Sequence, residues 1–160
     1  MKTHTDVQTP DPGHTLASAR ALFAQLPPPP ALAGTWRAEL IGPRWLLAAA
    51  AVGMPLSVLR GWCGKRFAAD GRGENLVRRG GELRGIIPMR EAHQVSRLDG
   101  RPVVAATYDR STPLSLRYVE DEFRQLGPDT LLGMMTFRLP LLRRLGLPFL
   151  LHRVADEHAL

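Results

Sequence analysis

Cysteine is all but missing from this 160-residue chain: Cys63 stands alone, which excludes an intrachain disulfide and leaves no basis for a cysteine-built zinc or iron–sulfur centre. Lysine is nearly as scarce. Only Lys2 and Lys65 occur, so the basic set is almost entirely arginine. Aromatic residues reach only 6%, and the arginines are scattered from Arg20 to Arg153. That is not the clustered basic stripe with stacking aromatics of a nucleic-acid binder, so no nucleic-acid partner is expected. The histidines avoid ligand spacing: His4, His14, His152 and His158 lie near the termini and His93 stands apart. No metal site and no cofactor are expected. No apolar run reaches the roughly 20 residues of a bilayer-crossing helix. Residues 1–14 are polar, with Pro10 and Pro12 and no basic region followed by an apolar core. A cytoplasmic location is therefore expected.

What the chain does have is room for one ordinary domain, with 44% hydrophobic and 22% charged residues, a balance that folds without a disulfide or metal staple. It also has a basic excess, 21 Lys+Arg against 15 Asp+Glu for a net charge of +6. Arginine-rich surfaces take phosphates, carboxylates or anionic lipid.

The punctuation of the chain predicts its organisation. Residues 1–14 read as a disordered lead-in. Thr15 is placed to cap a helix in which Leu16, Ala19, Leu22, Phe23 and Leu26 recur at spacings of three and four. Pro27 to Pro30 end that helix as a stiff extended linker, so residues 15–30 form an amphipathic helix and tether. Residues 31–160 read as one β domain. Strands are predicted from Trp36 to Ile41 and over Gly61–Phe67, Glu74–Arg79, Glu82–Met89, Ala92–Leu98, Val103–Tyr108, Leu114–Arg124 and Thr130–Arg138. Asp99-Gly100 and Gly127-Pro128-Asp129 mark turns. Short strands at intervals of about ten residues predict a mainly β, antiparallel barrel or sandwich. Two segments resist the pattern. Trp45–Leu59 is apolar but interrupted by Gly53 and Pro55, and reads as a short helical lid or connection. Leu139–Arg153 reads either as a final strand plus cap or as a membrane-surface segment.

Several of these residues resemble known motifs. Gly34-Thr35-Trp36 at the first strand is similar to the G-x-W element of lipocalin-like (calycin) barrels. Trp62-Cys63-Gly64-Lys65-Arg66-Phe67 resembles the W-x-G-K-R-F element of the GxWxG-type family of uncharacterised bacterial proteins. Tyr108-Asp109, Asp121-Glu122-Phe123-Arg124 and Leu132-Gly133-Met134 resemble that family's Y-D, D-x-F-R and L-G-x-M elements in the same order, while Ala38 stands at the position of its second glycine. The resemblance implies a small antiparallel lipocalin-like β-barrel able to hold an apolar ligand, and supplies no chemistry.

Candidate functional residues follow from residue type. Trp36 and Trp62 offer large apolar contact with a polar N–H, or plug the barrel. Lys65 is either a solvated surface lysine or a desolvated amine that anchors an anion or reacts. Gly64-Lys65-Arg66 lacks the rest of a phosphate loop, with Leu59 where a glycine belongs and Arg66 in place of the hydroxyl, so nucleotide hydrolysis is excluded. Cys63, beside two cations, is either a thiolate of lowered pKa or a small packed thiol. His93 is either a strand-surface histidine or a base, and Met134 suits an adaptable apolar interior. Tyr108, Asp121 and Arg124 form the acid–base set an enzyme would use. On a strand, Asp121 shares a face with Phe123 and Glu122 with Arg124, so one pair faces inward. An inward Asp121 requires an arginine partner or a raised pKa.

The leading expectation is a barrel that binds a hydrophobic small molecule, fatty acyl, isoprenoid or polyketide-like and open to an acidic head group, through Trp36, Trp62, Lys65, His93 and Met134. The alternatives are a cofactor-free isomerase, cyclase or hydratase using Tyr108, Asp121 and Arg124, and a peripheral protein on an anionic membrane surface. The Trp45–Leu59 stretch is also a candidate homodimer face.

Overall fold

The computed structural model describes residues 15–160; the lead-in expected over residues 1–14 lies outside the described residues. Eight strands form a closed antiparallel barrel in which each strand pairs with the next and the last returns to the first. They are β1 (Gly34–Leu40), β2 (Trp62–Phe67), β3 (Arg72–Arg79), β4 (Glu82–Val95), β5 (Pro102–Tyr108), β6 (Val119–Gly127), β7 (Thr130–Phe137) and β8 (Gly146–Val154). Two helices accompany them, α1 (Leu16–Gln25) and α2 (Arg44–Leu56). The mainly β, lipocalin-like barrel with an N-terminal helix is therefore the observed architecture, and eight strands leave an interior wide enough for side chains or one small ligand.

Two boundaries depart from the sequence reading. The segments Glu82–Met89 and Ala92–Leu98 are one strand, β4, rather than two. Its break in pattern is a bulge: Glu74 pairs with Pro88 but Asn75 with Ile86, leaving Ile87 unpaired at φ 54°. The prolyl nitrogen next to it has no hydrogen to donate. Residues 114–118 form turns rather than the start of β6, and of the two readings of Leu139–Arg153 the final strand is the one observed, its second part being β8 (Gly146–Val154).

The wall is buried on both faces where α1 packs. Thr15 caps α1 by accepting from the Ser18 N–H at 3.1 Å, and the helix buries Ala19 and Phe23 against Leu98, Val103, Leu132, Met134 and Leu150 outside the barrel. Arg124 locks this contact. It donates to Asp99 Oδ2 and Oδ1 at 2.7 and 2.8 Å and to the Phe23 carbonyl at 2.7 Å, while its guanidinium lies 4.4 Å from the Phe23 ring centroid. Beside it on the same face, Glu122 accepts from the Ser96 hydroxyl at 2.5 Å and the Arg97 N–H at 2.7 Å, which fixes the β4–β5 turn. The interior face carries Asp121 and Phe123, so the inward pair on β6 is Asp121/Phe123.

At the end of the barrel where β1 begins, the interior is filled. Trp36 is buried with its indole N–H on the Leu32 carbonyl at 2.8 Å, and the Arg153 guanidinium covers the ring at 4.2 Å. Phe67, Phe123, Phe149 and Trp62 then stack edge to face, with centroids 5.7 to 6.5 Å apart, the arrangement the ring quadrupoles favour. Gly133 makes room for this stack: a Cβ there would come within 2.5 Å of the Phe149 ring.

Replacing Arg124 by Met leaves Asp99 without its ion-pair partner and the Phe23 carbonyl without its donor. The expected loss is about 3 kcal/mol in urea unfolding, with faster tryptic cleavage at Arg20 as α1 loosens. An unchanged midpoint and cleavage rate would contradict the role given to this residue.

Candidate functional site

The other half of the barrel is hollow. A cavity of about 320 Å³ lies between the aromatic stack and α2, lined by apolar side chains from α2 (Leu46, Leu47, Met54) and from the barrel wall (Leu116, Val119, Met135), with Trp62 and Phe149 toward its floor. Its position follows from topology. The β1–β2, β3–β4, β5–β6 and β7–β8 connections of an up-and-down barrel share one end, and α2 lies in the first of them. Residues 46, 47, 50, 53 and 54 of this helix line the cavity, one side of a 3.6-residue repeat. The short helix expected as a lid or connection is thus present as α2.

Polar groups converge at one place on the cavity wall. Lys65 on β2 reaches to Asp121 on β6, four strands away in the closed ring, with Nζ 2.8 Å from Oδ2 and both side chains almost fully buried. The ammonium has three hydrogens and three acceptors: Asp121 Oδ2, the Asn75 Oδ1 at 2.8 Å and the Tyr108 hydroxyl at 3.1 Å. Tyr108 passes its own hydrogen to Asp121 Oδ2 at 2.8 Å, and the Trp62 indole N–H donates to Asn75 Oδ1 at 3.1 Å. Lys65 Nζ also sits 5.6 Å from the ring centroids of Trp62 and Tyr108, within cation–π range.

This arrangement sets the protonation states. Burial alone would depress the Lys65 pKa, but the Asp121 carboxylate and the Tyr108 hydroxyl outweigh it, and the net shift is upward, so the amine is an ammonium. Burial, reinforced by the Asp121 charge, pushes Tyr108 up to about 12 against the opposing pull of Lys65. Burial likewise raises the neighbouring Cys63 thiol, outweighing Arg78, and Cys63 donates to the Leu76 carbonyl at 3.4 Å. It is a packed thiol rather than a thiolate. Asp121 Oδ1, unlike Oδ2, has no hydrogen-bond partner among the described residues, and Asp121 lines the cavity.

The structure brings together Trp62, Lys65, Tyr108 and Asp121 of the residues singled out from sequence. Lys65 is buried rather than solvated, and it supplies the partner for Asp121 that was expected to be an arginine. Arg124 does not join Tyr108 and Asp121, because it lies on the outer face of β6 with Asp99. Trp36 lies in the packed end and not on the cavity. His93 projects outside, 64% exposed and 3.2 Å from Glu91, and Met134 packs under α1, its neighbour Met135 taking the cavity position. Sequence reading missed Asn75. Its signal was a lone amide in a strand, opposite Lys65 in the β2–β3 register. Among the described residues no cluster of His, Cys, Asp and Glu could hold a metal ion, and no helix is long and apolar enough to cross a membrane.

Fold and site together define a closed eight-stranded antiparallel β-barrel with an interior cavity. A solved structure of a protein from Thermomonospora curvata is similar to it, with 27% sequence identity, a TM-score of 0.66 and coverage of 86% of each chain. No protein-family model matches the chain, and no curated protein does.

Asp121→Asn strips a buried ammonium of its counter-charge and is expected to cost about 3–5 kcal/mol in urea unfolding, whereas Lys65→Met/Asp121→Leu recovers most of that loss. A double variant less stable than the single one would contradict the pairing. Both Lys65 and Tyr108 hold protons more tightly folded than unfolded, so stability falls as pH rises above about 10, the unfolded tyrosine value, toward about 12. Alkaline unfolding followed by circular dichroism checks this, with a shallower fall expected for Tyr108→Phe.

Proposed function

We propose that the barrel binds a neutral, hydroxyl-bearing hydrophobic small molecule, its apolar body in the cavity and its hydroxyl on Asp121 Oδ1. The observation that carries this is an apolar chamber of about 320 Å³, near the lower end of the ~300–1,000 Å³ of small-molecule sites, with one charged cluster in which Asp121 Oδ1 is left as an acceptor and the Asn75 amide, bonded only to the Tyr108 hydroxyl at 3.4 Å, keeps a hydrogen to donate. The ion pair cancels its own charge, and all three ammonium hydrogens have partners. An acidic head group would find no free cationic donor there and would face the Asp121 carboxylate. Residues from the motifs similar to the GxWxG-type family, namely Trp62, Lys65, Tyr108 and Asp121, meet at this cavity, which supports reading that likeness as a shared site.

Turnover by an acid–base pair has less support. A tyrosine with a pKa of about 12 is a poor acid at neutral pH, Asp121 is engaged by Lys65, and Arg124 lies elsewhere.

Titration of the protein with decanol and with decanoate, each displacing Nile red, tests the reading. Decanol is expected to bind at least about tenfold tighter, because the carboxylate must be desolvated beside Asp121. Met135→Trp, which fills the chamber, is expected to abolish binding while keeping the wild-type circular dichroism spectrum. Unchanged binding in that variant, or tighter binding of decanoate, would overturn the proposal.

A further inference from the structure

The two ends of the barrel differ sharply in charge and polarity, beyond anything the cavity requires. At the mouth, the β1–β2 connection carries exposed Arg44 and Arg60 and no acid. The β5–β6 connection carries exposed Arg110 and Arg117 against Asp109, and the β7–β8 connection carries exposed Arg138, Arg143 and Arg144 with no acid of its own, Arg138 being paired to Glu120 of β6 at 2.8 Å. The connections of the opposite end are the reverse: Asp70, Asp99, Asp129 and Asp156 stand in them and after β8, against Arg97 and Arg101, the first three also ion-paired to Arg72, Arg124 and Arg153. Among the connections, the basic excess is thus gathered around the mouth.

The same end exposes large apolar side chains. Although α2 is strongly apolar, it buries no residue. One side lines the cavity, and the other presents Trp45, Val52 and Leu56, spaced seven and four apart, at 60, 68 and 85% exposure. Leu114 stands in the β5–β6 connection, 65% exposed, and Leu141 in the β7–β8 connection, 98% exposed. Three separate connections place leucine or tryptophan beside arginine at one end of one barrel. Such side chains favour the boundary between headgroups and acyl chains, where arginine meets phosphate and tryptophan sits half-immersed.

We propose that this face docks the barrel, mouth down, on an anionic lipid bilayer, with the outer side of α2 and the 139–145 connection in the interface. A second copy fits less well, since a twofold contact of this patch with itself would set arginines against arginines. Nucleic acid would engage the arginines but leave the apolar side chains without a use. The docking goes beyond ligand binding in the cavity and does not depend on it.

Flotation of the full chain with vesicles of phosphatidylcholine, alone or mixed with phosphatidylglycerol, tests the proposal. Binding is expected to the mixed vesicles only, and to weaken as salt rises. Leu141→Glu and Val52→Glu are each expected to reduce it severalfold or more. Arg143→Glu is expected to reduce it by at least about fivefold, whereas Arg72→Glu, an equal charge change at the opposite end, leaves it within about twofold. Circular dichroism confirms folding of every variant. No binding to mixed vesicles would overturn the proposal, as would equal loss in Arg72→Glu or full binding in Leu141→Glu, the mark of charge attraction alone. A dimer that Leu141→Glu dissolves, in a protein that ignores vesicles, would assign the face to a second copy.

Discussion

An ammonium buried in the middle of a barrel constrains everything around it. Lys65 cannot stay charged there without Asp121, and neither fits without acceptors and donors for the remaining valences. The strands supply them from four directions: β2 gives the lysine, β6 the carboxylate, β3 the amide and β5 the phenol. Only a long, flexible stem with a point charge can span to the facing wall and meet three acceptors at once; a planar guanidinium would need a flat, bidentate partner. The pair thus ties opposite walls together across the interior. It also divides that interior, with interlocked rings and the Trp36 plug on one side and open apolar space on the other.

That division separates the contacts that hold the fold from the open chamber. The filled half and the outer contact of α1 hold the barrel closed. Arg124 and Asp99 brace the helix, and Arg153 covers Trp36. The hollow half is bounded by the elements with the least buried surface, α2 and the mouth connections. A helix with no buried residue costs little to move, so displacing α2 disturbs none of the contacts that hold the filled half together.

Much of the fold was legible in the sequence because its signals are local. The Thr15 cap, the proline stop, the Asp99-Gly100 turn and the apolar stretch that became α2 each act within a few residues. The β4 boundary was not legible, since a proline beside a bulge looks like the end of a strand. For β8 the sequence left a final strand and a membrane-surface segment open, because its Leu- and Pro-rich stretch shows no alternation where α1 buries its outer face. The site was half legible. Trp62, Lys65, Tyr108 and Asp121 stood out by type, but Lys65 and Asp121 are 56 positions apart in the chain, and only closure of the ring makes them neighbours. Arg124 misled for a related reason: it follows Asp121 by three residues, an odd number on a strand, and so faces the other way.

Native mass spectrometry of the gently purified protein, followed by extraction and lipid analysis, tests the central claim most directly. A neutral hydroxyl-bearing amphiphile carried by the wild-type chain and missing from the cavity-filled Met135→Trp variant would match the account. An acidic ligand, or one retained when the chamber is filled, would show that the space above the Lys65–Asp121 pair is not where this protein holds its ligand.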